Sequence, residues 1–511
     1  MKKFIVLISV GLLVLAFGTT VFAQTKEEPK LDFRASGFIN EISFYTYNIP
    51  PLNAASKIFN QPAGYGVPDA NSWNRKVAFL DSRAHLKFDA VMGKELSGTI
   101  YFEIDSTRWG DTPGGQAGNI TDRGKMGYWS TDRAAVEVKN IYIDVGLPYF
   151  GIDAPMTARI GAQPLSIRPN MFVYTDGMGI SGGIKVDPVM IQPMWFKAVE
   201  GVDWTADDVD VYGLHVNAKL GTFTVGGYGL WYNMNTYPFF VPQNVGGVIG
   251  LPSSLYSLVQ GTQQADMWWL GVYADGQAGP VNLNFDFIYD RGKVQSTLTP
   301  SVQDVKYRGY ATRLKVDYPY EMFNLGVVGV YGSGADRNKT DADGFANGTN
   351  SKVNSYVVPV GSEAGAIFGE SVALSIHAGS IGGIGWADTH NYNQMCRGSV
   401  GGIWFAKLYG SYKATPWYKV TLQGLYIGDT TKNGNTFGTA VNADGTYRDD
   451  ATIGWELDLI NEVQIYKNLK WEIAGGVLFA GNAMDFKRTG VNANASMGNP
   501  WAITTRFTYN F

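Results

Sequence analysis

The chain has 511 residues, a formal net charge of −4 and one cysteine, Cys396. A mildly acidic chain without basic runs argues against a nucleic-acid partner, and one cysteine excludes an internal disulfide and a Cys-x-x-Cys-His haem attachment. The unusual part is 63 Gly and 70 aromatic residues (14 Trp, 29 Tyr, 27 Phe) alongside only 17 % charge.

At the start, Met1-Lys2-Lys3 precedes an apolar run from Phe4 to Phe17, broken by Gly18, Thr19 and Thr20. Val21-Phe22-Ala23 then offers a cleavage site, the pattern of a secretory signal peptide. The run is short for a spanning helix, which needs about 20 apolar residues. Cleavage is expected after Ala23, and Gln24 leaves no cysteine for a lipid anchor. Residues 24–32 read as a short periplasmic segment, and 33–511 as the folded part. No later run approaches a spanning helix. In lipid only helices or closed barrels satisfy every backbone polar group, so an exported membrane protein without such helices must be a barrel.

A barrel predicts alternation, because successive side chains on a strand face opposite sides. In "VAFLDSRAHLKFDA" (77–90), Ala78, Leu80, Ser82, Ala84, Leu86 and Phe88 alternate with Asp81, Arg83, His85, Lys87 and Asp89. The next segment sets Leu96, Gly98, Ile100, Phe102 and Ile104 against Glu95, Ser97, Thr99, Tyr101, Glu103 and Asp105. At 281–290, Val281, Leu283, Phe285, Phe287 and Tyr289 alternate with Asn282, Asn284, Asp286 and Asp290. Such runs exceed the five or six residues usual in a soluble sandwich. They suit transmembrane strands of about 9–11 residues.

Eighteen strands are predicted, near 33–47, 76–90, 95–108, 134–146, 155–163, 178–187, 190–200, 208–219, 221–234, 265–276, 280–291, 304–317, 322–333, 400–414, 417–428, 450–464, 469–480 and 501–511. Sixteen or twenty stay open. Links alternate between tight turns and long stretches rich in Gly, Asn and Asp, the asymmetry of periplasmic turns and extracellular loops. The fold class is therefore all-β, a transmembrane antiparallel barrel. The longest link, 334–399, contains the apolar stretch "AGAIFGESVALSIHAG". It reads as an inward-folded constriction, with an extra hairpin as the alternative.

In the last strand, "WAITTRFTYNF", Trp501, Ile503, Phe507, Tyr509 and Phe511 share one face, opposite Thr504, Arg506, Thr508 and Asn510. This resembles the terminal strand of bacterial outer-membrane proteins. The resemblance implies that Phe511, Tyr509 and Phe507 are an assembly signal read by the barrel assembly machinery. Signal, alternation, loop asymmetry and Phe511 together look like a Gram-negative outer-membrane porin. "ARIGAQPLSI" (158–167) and "GWELDLINEVQIYKNLKWEIAGGVLFAG" (454–481) are similar to segments of alginate-export-like substrate channels. Ala162 stands where the common form carries an Arg, so only architecture carries over.

A barrel of 16–18 strands encloses an aqueous channel. The expected function is diffusion of small polar or ionic solutes across the outer membrane, with outer-membrane lipid as surroundings and homo-oligomerisation open. Candidate pore-lining residues are Arg83, Lys87, Glu103, Asp105, Arg159, Arg313, Lys315, Glu456, Asp458 and Arg506. The alternatives are a sheath for an exported partner such as a cytochrome and, last, an outer-membrane enzyme. Ser82 points away from His85 and so cannot form a nucleophile–base pair with it. No cofactor and no metal are expected. "DADG" (341–344) and "NADG" (442–445) read as turns rather than calcium loops, and Cys396 with His390 is too few ligands for zinc.

Overall fold

The computed structural model describes residues 30–47, 76–109, 125–126, 136–147, 154–200, 206, 208–235, 263–296, 305–339, 352–359, 361–362, 370–374, 400–487, 493–496 and 498–511. The expected signal peptide, "DADG", Cys396, His377 and His390 lie outside them.

Eighteen long strands follow one another as β1 (Leu31–Tyr47), β2 (Lys76–Met92), β3 (Leu96–Trp109), β4 (Glu137–Leu147), β5 (Met156–Ile167), β6 (Val173–Val186), β7 (Val189–Val199), β8 (Val209–Leu220), β9 (Phe223–Met234), β10 (Gln263–Ala278), β11 (Val281–Ser296), β12 (Val305–Tyr320), β13 (Phe323–Gly332), β14 (Ile403–Thr415), β15 (Tyr418–Asp429), β16 (Thr452–Tyr466), β17 (Leu469–Ala480) and β18 (Trp501–Asn510). Each pairs antiparallel with the next, and β18 returns to β1 in the register Phe38↔Asn510 to Tyr47↔Trp501. Phe511 extends the seam by one pair of bonds: its N–H donates to Gly37 O at 3.1 Å, and its carbonyl accepts from Gly37 N at 2.9 Å. The ring of pairings is closed, so no strand is a free edge along its whole length, which lipid would not tolerate. No helix among the described residues is long and apolar enough to cross a membrane, and a barrel crosses with strands instead.

One end of the barrel is built from tight turns. β8 and β9 join at Gly221, whose φ of +63° lies in the left-handed region that glycine enters without steric penalty. The outward rows are apolar and exposed, as at Ile100, Ile141, Leu270, Leu325, Leu408 and Leu457. Toward the other end they finish in aromatic rings. Trp231 stacks on Tyr212 at 5.3 Å and on Trp268 at 5.1 Å, and across the barrel Tyr426 contacts Trp404 at 5.3 Å and Trp455 at 4.6 Å. Aromatic girdles flanking an apolar band are what a bilayer interface selects.

The inward rows are buried, and the core of the molecule is the lumen itself. Its largest apolar cluster joins inward residues of β7–β17, such as Trp269, Ile288, Phe405 and Leu478, to Met171, Phe172, Tyr356, Val357 and Leu374 from connecting segments. The β5–β6 hairpin supplies part of it by leaving the wall. β4–β5 pairing stops at Ile141↔Ala162 and β6–β7 pairing at Met178↔Lys197, yet β5 and β6 stay paired up to Ile167↔Val173. Residues 163–177 therefore form a hairpin tip inside the barrel. The expected strands 155–163 and 178–187 are the parts of this hairpin that remain in the wall.

Candidate functional site: a lumen occupied by the chain's own segments

The hairpin tip turns at Arg168 (φ +48°), where Met171 N and Phe172 N both donate to the Arg168 carbonyl at 2.8 Å. Phe172 is driven into the apolar cluster and stacks on Tyr228 at 4.9 Å. The Arg168 guanidinium reaches the opposite way, to two carboxylates of the inward rows. It donates to Asp275 at 2.5 and 3.1 Å, to Asp286 Oδ2 at 2.8 Å and to Asp286 Oδ1, with the Tyr273 ring 4.5 Å away. A planar fork matched to carboxylates anchors this tip.

The long connection after β13 enters the same space. Lys352–Val353 pairs in parallel with Lys306–Tyr307 of β12, and Tyr356 N then donates to Ser333 O at 2.9 Å. The Tyr356 hydroxyl donates to Met171 O at 2.8 Å, and Trp269 Nε1 donates to Val357 O at 2.8 Å. Asp290, fully buried on β11, accepts from Gly309 N at 3.0 Å and Val357 N at 3.2 Å. Gly309 makes this passage possible: a Cβ there would lie 2.4 Å from Ser355 O. The segments support one another, and the wall satisfies their backbone groups, as burial requires.

Further along, Glu370 sits between two inward cations. Its Oε1 accepts from Arg313 Nη2 at 2.7 Å, its other oxygen meets Lys407 Nζ, and Gln423 Nε2 donates to its backbone carbonyl at 3.0 Å. Burial alone would raise the Glu370 pKa, but Lys407 and Arg313 hold it below the ordinary carboxylate value. Glu456 of β16 grips the next residues. It accepts from Ser371 Oγ at 2.8 Å, from the N–H groups of Val372 and Ala373 at 2.7 Å each, and from Leu374 N at 3.0 Å. Asp458 adds a bond from Val372 N at 3.2 Å and accepts from Gln423 Nε2 at 2.8 Å. Asn284, bonded to both Asp275 and Arg313, links the Arg168 anchor to the Glu370 latch.

A second charge cluster lies across the lumen. Glu103 accepts from Arg83, from His85 Nε2 at 2.7 Å and from Lys139 Nζ at 2.8 Å, while Lys139 and Asn140 also hold Asp176 on the hairpin tip. His85 Nδ1 meets Tyr101 Oη at 2.6 Å. Ser82 is on the outer face, where it bonds Glu41 and the Trp109 indole.

The sequence-predicted pore residues therefore separate into two groups. Glu103, Arg313, Glu456 and Asp458 are buried and hold other groups in place. Arg83, Lys87, Arg159, Lys315 and Arg506 keep between 34 and 50 % of their side chains open to the lumen. Apart from Arg83, these open cations lie within a few residues of the tight turns. There Arg159 pairs with Asp144 at 2.7 Å, Lys87 with Asp89 at 3.1 Å and Arg506 with Glu472 at 3.7 Å. The Asp105 side chain lies outside the described ones. Sequence reasoning missed Arg168, Lys139, Glu370 and Lys407. Only Lys407 carries a legible signal, since it interrupts the row of Phe405 and Tyr409.

"NADG" forms a turn: Gly445 N donates to Asn442 O at 3.0 Å and Thr446 N to Asp444 Oδ1 at 2.9 Å. Among the described residues no three His, Cys, Asp or Glu side chains gather as a metal site would need.

No protein-family model matches the chain, and no curated protein does. Among the solved structures to which it is similar are three of proteins from Pseudomonas aeruginosa. For OccK11 (OpdR) the identity is 9 %, covering 96 % of this chain and 99 % of that one, with a TM-score of 0.47. For OpdO it is 9 %, covering 94 % and 97 %, at 0.48. For OpdK, crystallised with vanillate, it is 9 %, covering 94 % and 98 %, at 0.44.

Proposed function

We propose that the chain is exported by a signal peptide cleaved after Ala23 and inserts in a Gram-negative outer membrane. There it forms a porin-type channel for small polar or ionic solutes. The carrying observation is a closed eighteen-strand wall, apolar outside, whose lumen has two unlike halves. Near the tight turns it is a vestibule lined by accessible charged groups, and toward the loops it is narrowed by 163–177, 352–359 and 370–374. Rings and clusters of side-chain charge at close range select ions, and the inward segments set the width. The sheath reading loses support because the chain's own residues occupy the space a partner would need.

The test is a planar-bilayer recording of the purified barrel beside one lacking 340–395. Discrete conductance steps in the first, and larger steps in the second, are expected. No steps from a folded barrel would overturn the channel, and equal steps would overturn the constriction.

A further inference from the structure

On the outer face of β10–β12, at the loop end, the aromatic row gives way to cations. Trp231 and Trp268 are followed in register by Arg291 of β11 and Arg308 of β12. One rung nearer the loops, Asp266, Lys293, Lys306 and Lys352 form the next row across β10, β11, β12 and the Lys352–Val353 segment. All these cations lie on outward rows, because their neighbours Val294, Val305, Tyr307 and Val353 are buried inside. Arg291, Lys306, Arg308 and Lys352 are exposed.

Among the described residues five cations thus face one carboxylate, and that carboxylate already accepts from Trp231 Nε1 at 3.2 Å. No carboxylate among the described residues lies within ion-pair reach of any of the five. The neighbouring sector is different: Lys197 is held by Asp208 at 2.7 Å and Glu200 at 2.9 Å. Arg opposite Arg and Lys opposite Lys on adjacent strands repel, so the wall carries a standing demand for anions at this point. It sits in line with the indoles that mark the bilayer interface, one rung above Tyr289 and Tyr310. Lipid headgroups are anions present at that height of a bilayer.

We propose that Arg291, Lys293, Lys306, Arg308 and Lys352 bind the phosphorylated headgroup of a lipid in the leaflet at the loop end. Paired guanidinium groups take phosphate oxygens bidentately, the lysines supply further charge, and the acyl chains lie along Leu270, Phe287 and Leu314. This rests on the membrane reading above, which the conductance recording tests separately.

The experiment uses the full barrel in neutral detergent, with its melting followed against bisphosphorylated lipid A, phosphatidylcholine and inorganic phosphate. Lipid A should raise the melting temperature and the other two should not. Each cation near a membrane surface contributes about fivefold in affinity. The Arg291→Ala/Lys306→Ala/Arg308→Ala variant should therefore bind lipid A more weakly by a factor on the order of one hundred. Without lipid, that variant should melt no lower than the wild type, since repulsion is relieved. Asp266→Asn should bind severalfold more tightly. Unchanged lipid A affinity in the triple variant would overturn the site. A full shift with inorganic phosphate alone would show a free-phosphate site instead, and a lower lipid-free melting temperature would show that the cations merely support the wall.

Discussion

Glu370 and Arg313 are 57 residues apart in the chain and meet at 2.7 Å inside the barrel, with Lys407 closing the other side of the carboxylate. Glu370→Gln keeps the shape and removes the charge, leaving two cations buried without their counter-ion. Breaking a buried pair this way costs about 3–5 kcal/mol. The expected result is an inserted barrel with a loosened inner segment, seen as larger or flickering conductance steps. Unaltered single-channel traces would show that the latch does not hold the constriction.

The same carboxyl sets an acid dependence. Its pKa in the folded protein lies below the ordinary value of 4.5. The stability it adds is therefore complete above that value and is lost as pH falls through the lower, folded one. Conductance recorded from pH 7 downward should stay level to about pH 4.5 and rise below it. Glu370→Gln should flatten this rise, a comparison that separates this group from other carboxylates.

Arg168→Ala tests the anchor of the hairpin tip. It leaves Asp286, 3 % exposed at its side chain, without the cation that compensates it. A loss of about 3–5 kcal/mol is expected, read as earlier unfolding of the heat-modifiable band on a gel. Lys87→Glu, at a side chain 35 % open to the lumen, should leave that band unchanged and shift ion preference instead.

The register predicts opposite outcomes for adjacent residues. Leu86→Arg and Phe285→Arg place a charge on the lipid side of the wall, at about 2–4 kcal/mol near the midplane. Both should reduce the folded, membrane-inserted fraction measured by protease protection, whereas Lys87→Glu should not. Insertion of both Arg variants at normal levels would invert the assignment of faces.

Phe511→Asp addresses the assembly signal. The residue closes the β18–β1 seam through both backbone bonds to Gly37, and its ring contacts Tyr509 at 5.7 Å on the outer face. Export should continue while folded barrel in the membrane fraction declines. Quantitative blotting of the soluble and membrane fractions distinguishes this outcome from simple loss of expression.

The wall was legible in the sequence because burial on one side and lipid on the other impose a period of two. That signal is local, so eighteen predicted strands correspond to eighteen long strands among the described residues. The contents of the lumen were not legible to the same degree. Alternation puts Asp286 on the inner row, but nothing in the sequence joins it to Arg168, 118 residues earlier. A place on the lumen row does not by itself show that Asp286 is buried against Arg168. Residues 164–177 read as a link because Pro164 and the polar turn at Arg168–Asn170 interrupt the alternation. Only three-dimensional pairing shows that β5 and β6 continue past the point where their neighbours stop.

That departure of the hairpin limits how much bilayer the wall can span on that side. Among the described residues, Met156 to Ala162 of β5, seven residues, stay paired with β4. At about 3.3 Å per residue and a tilt near 40°, seven residues reach roughly 18 Å, against the roughly 25 Å apolar band of outer-membrane barrels. The adjoining lipids must shorten the gap by compressing or tilting their chains. A bilayer around the barrel is therefore expected to be thinner beside β5 and β6 than elsewhere, as hydrophobic mismatch requires.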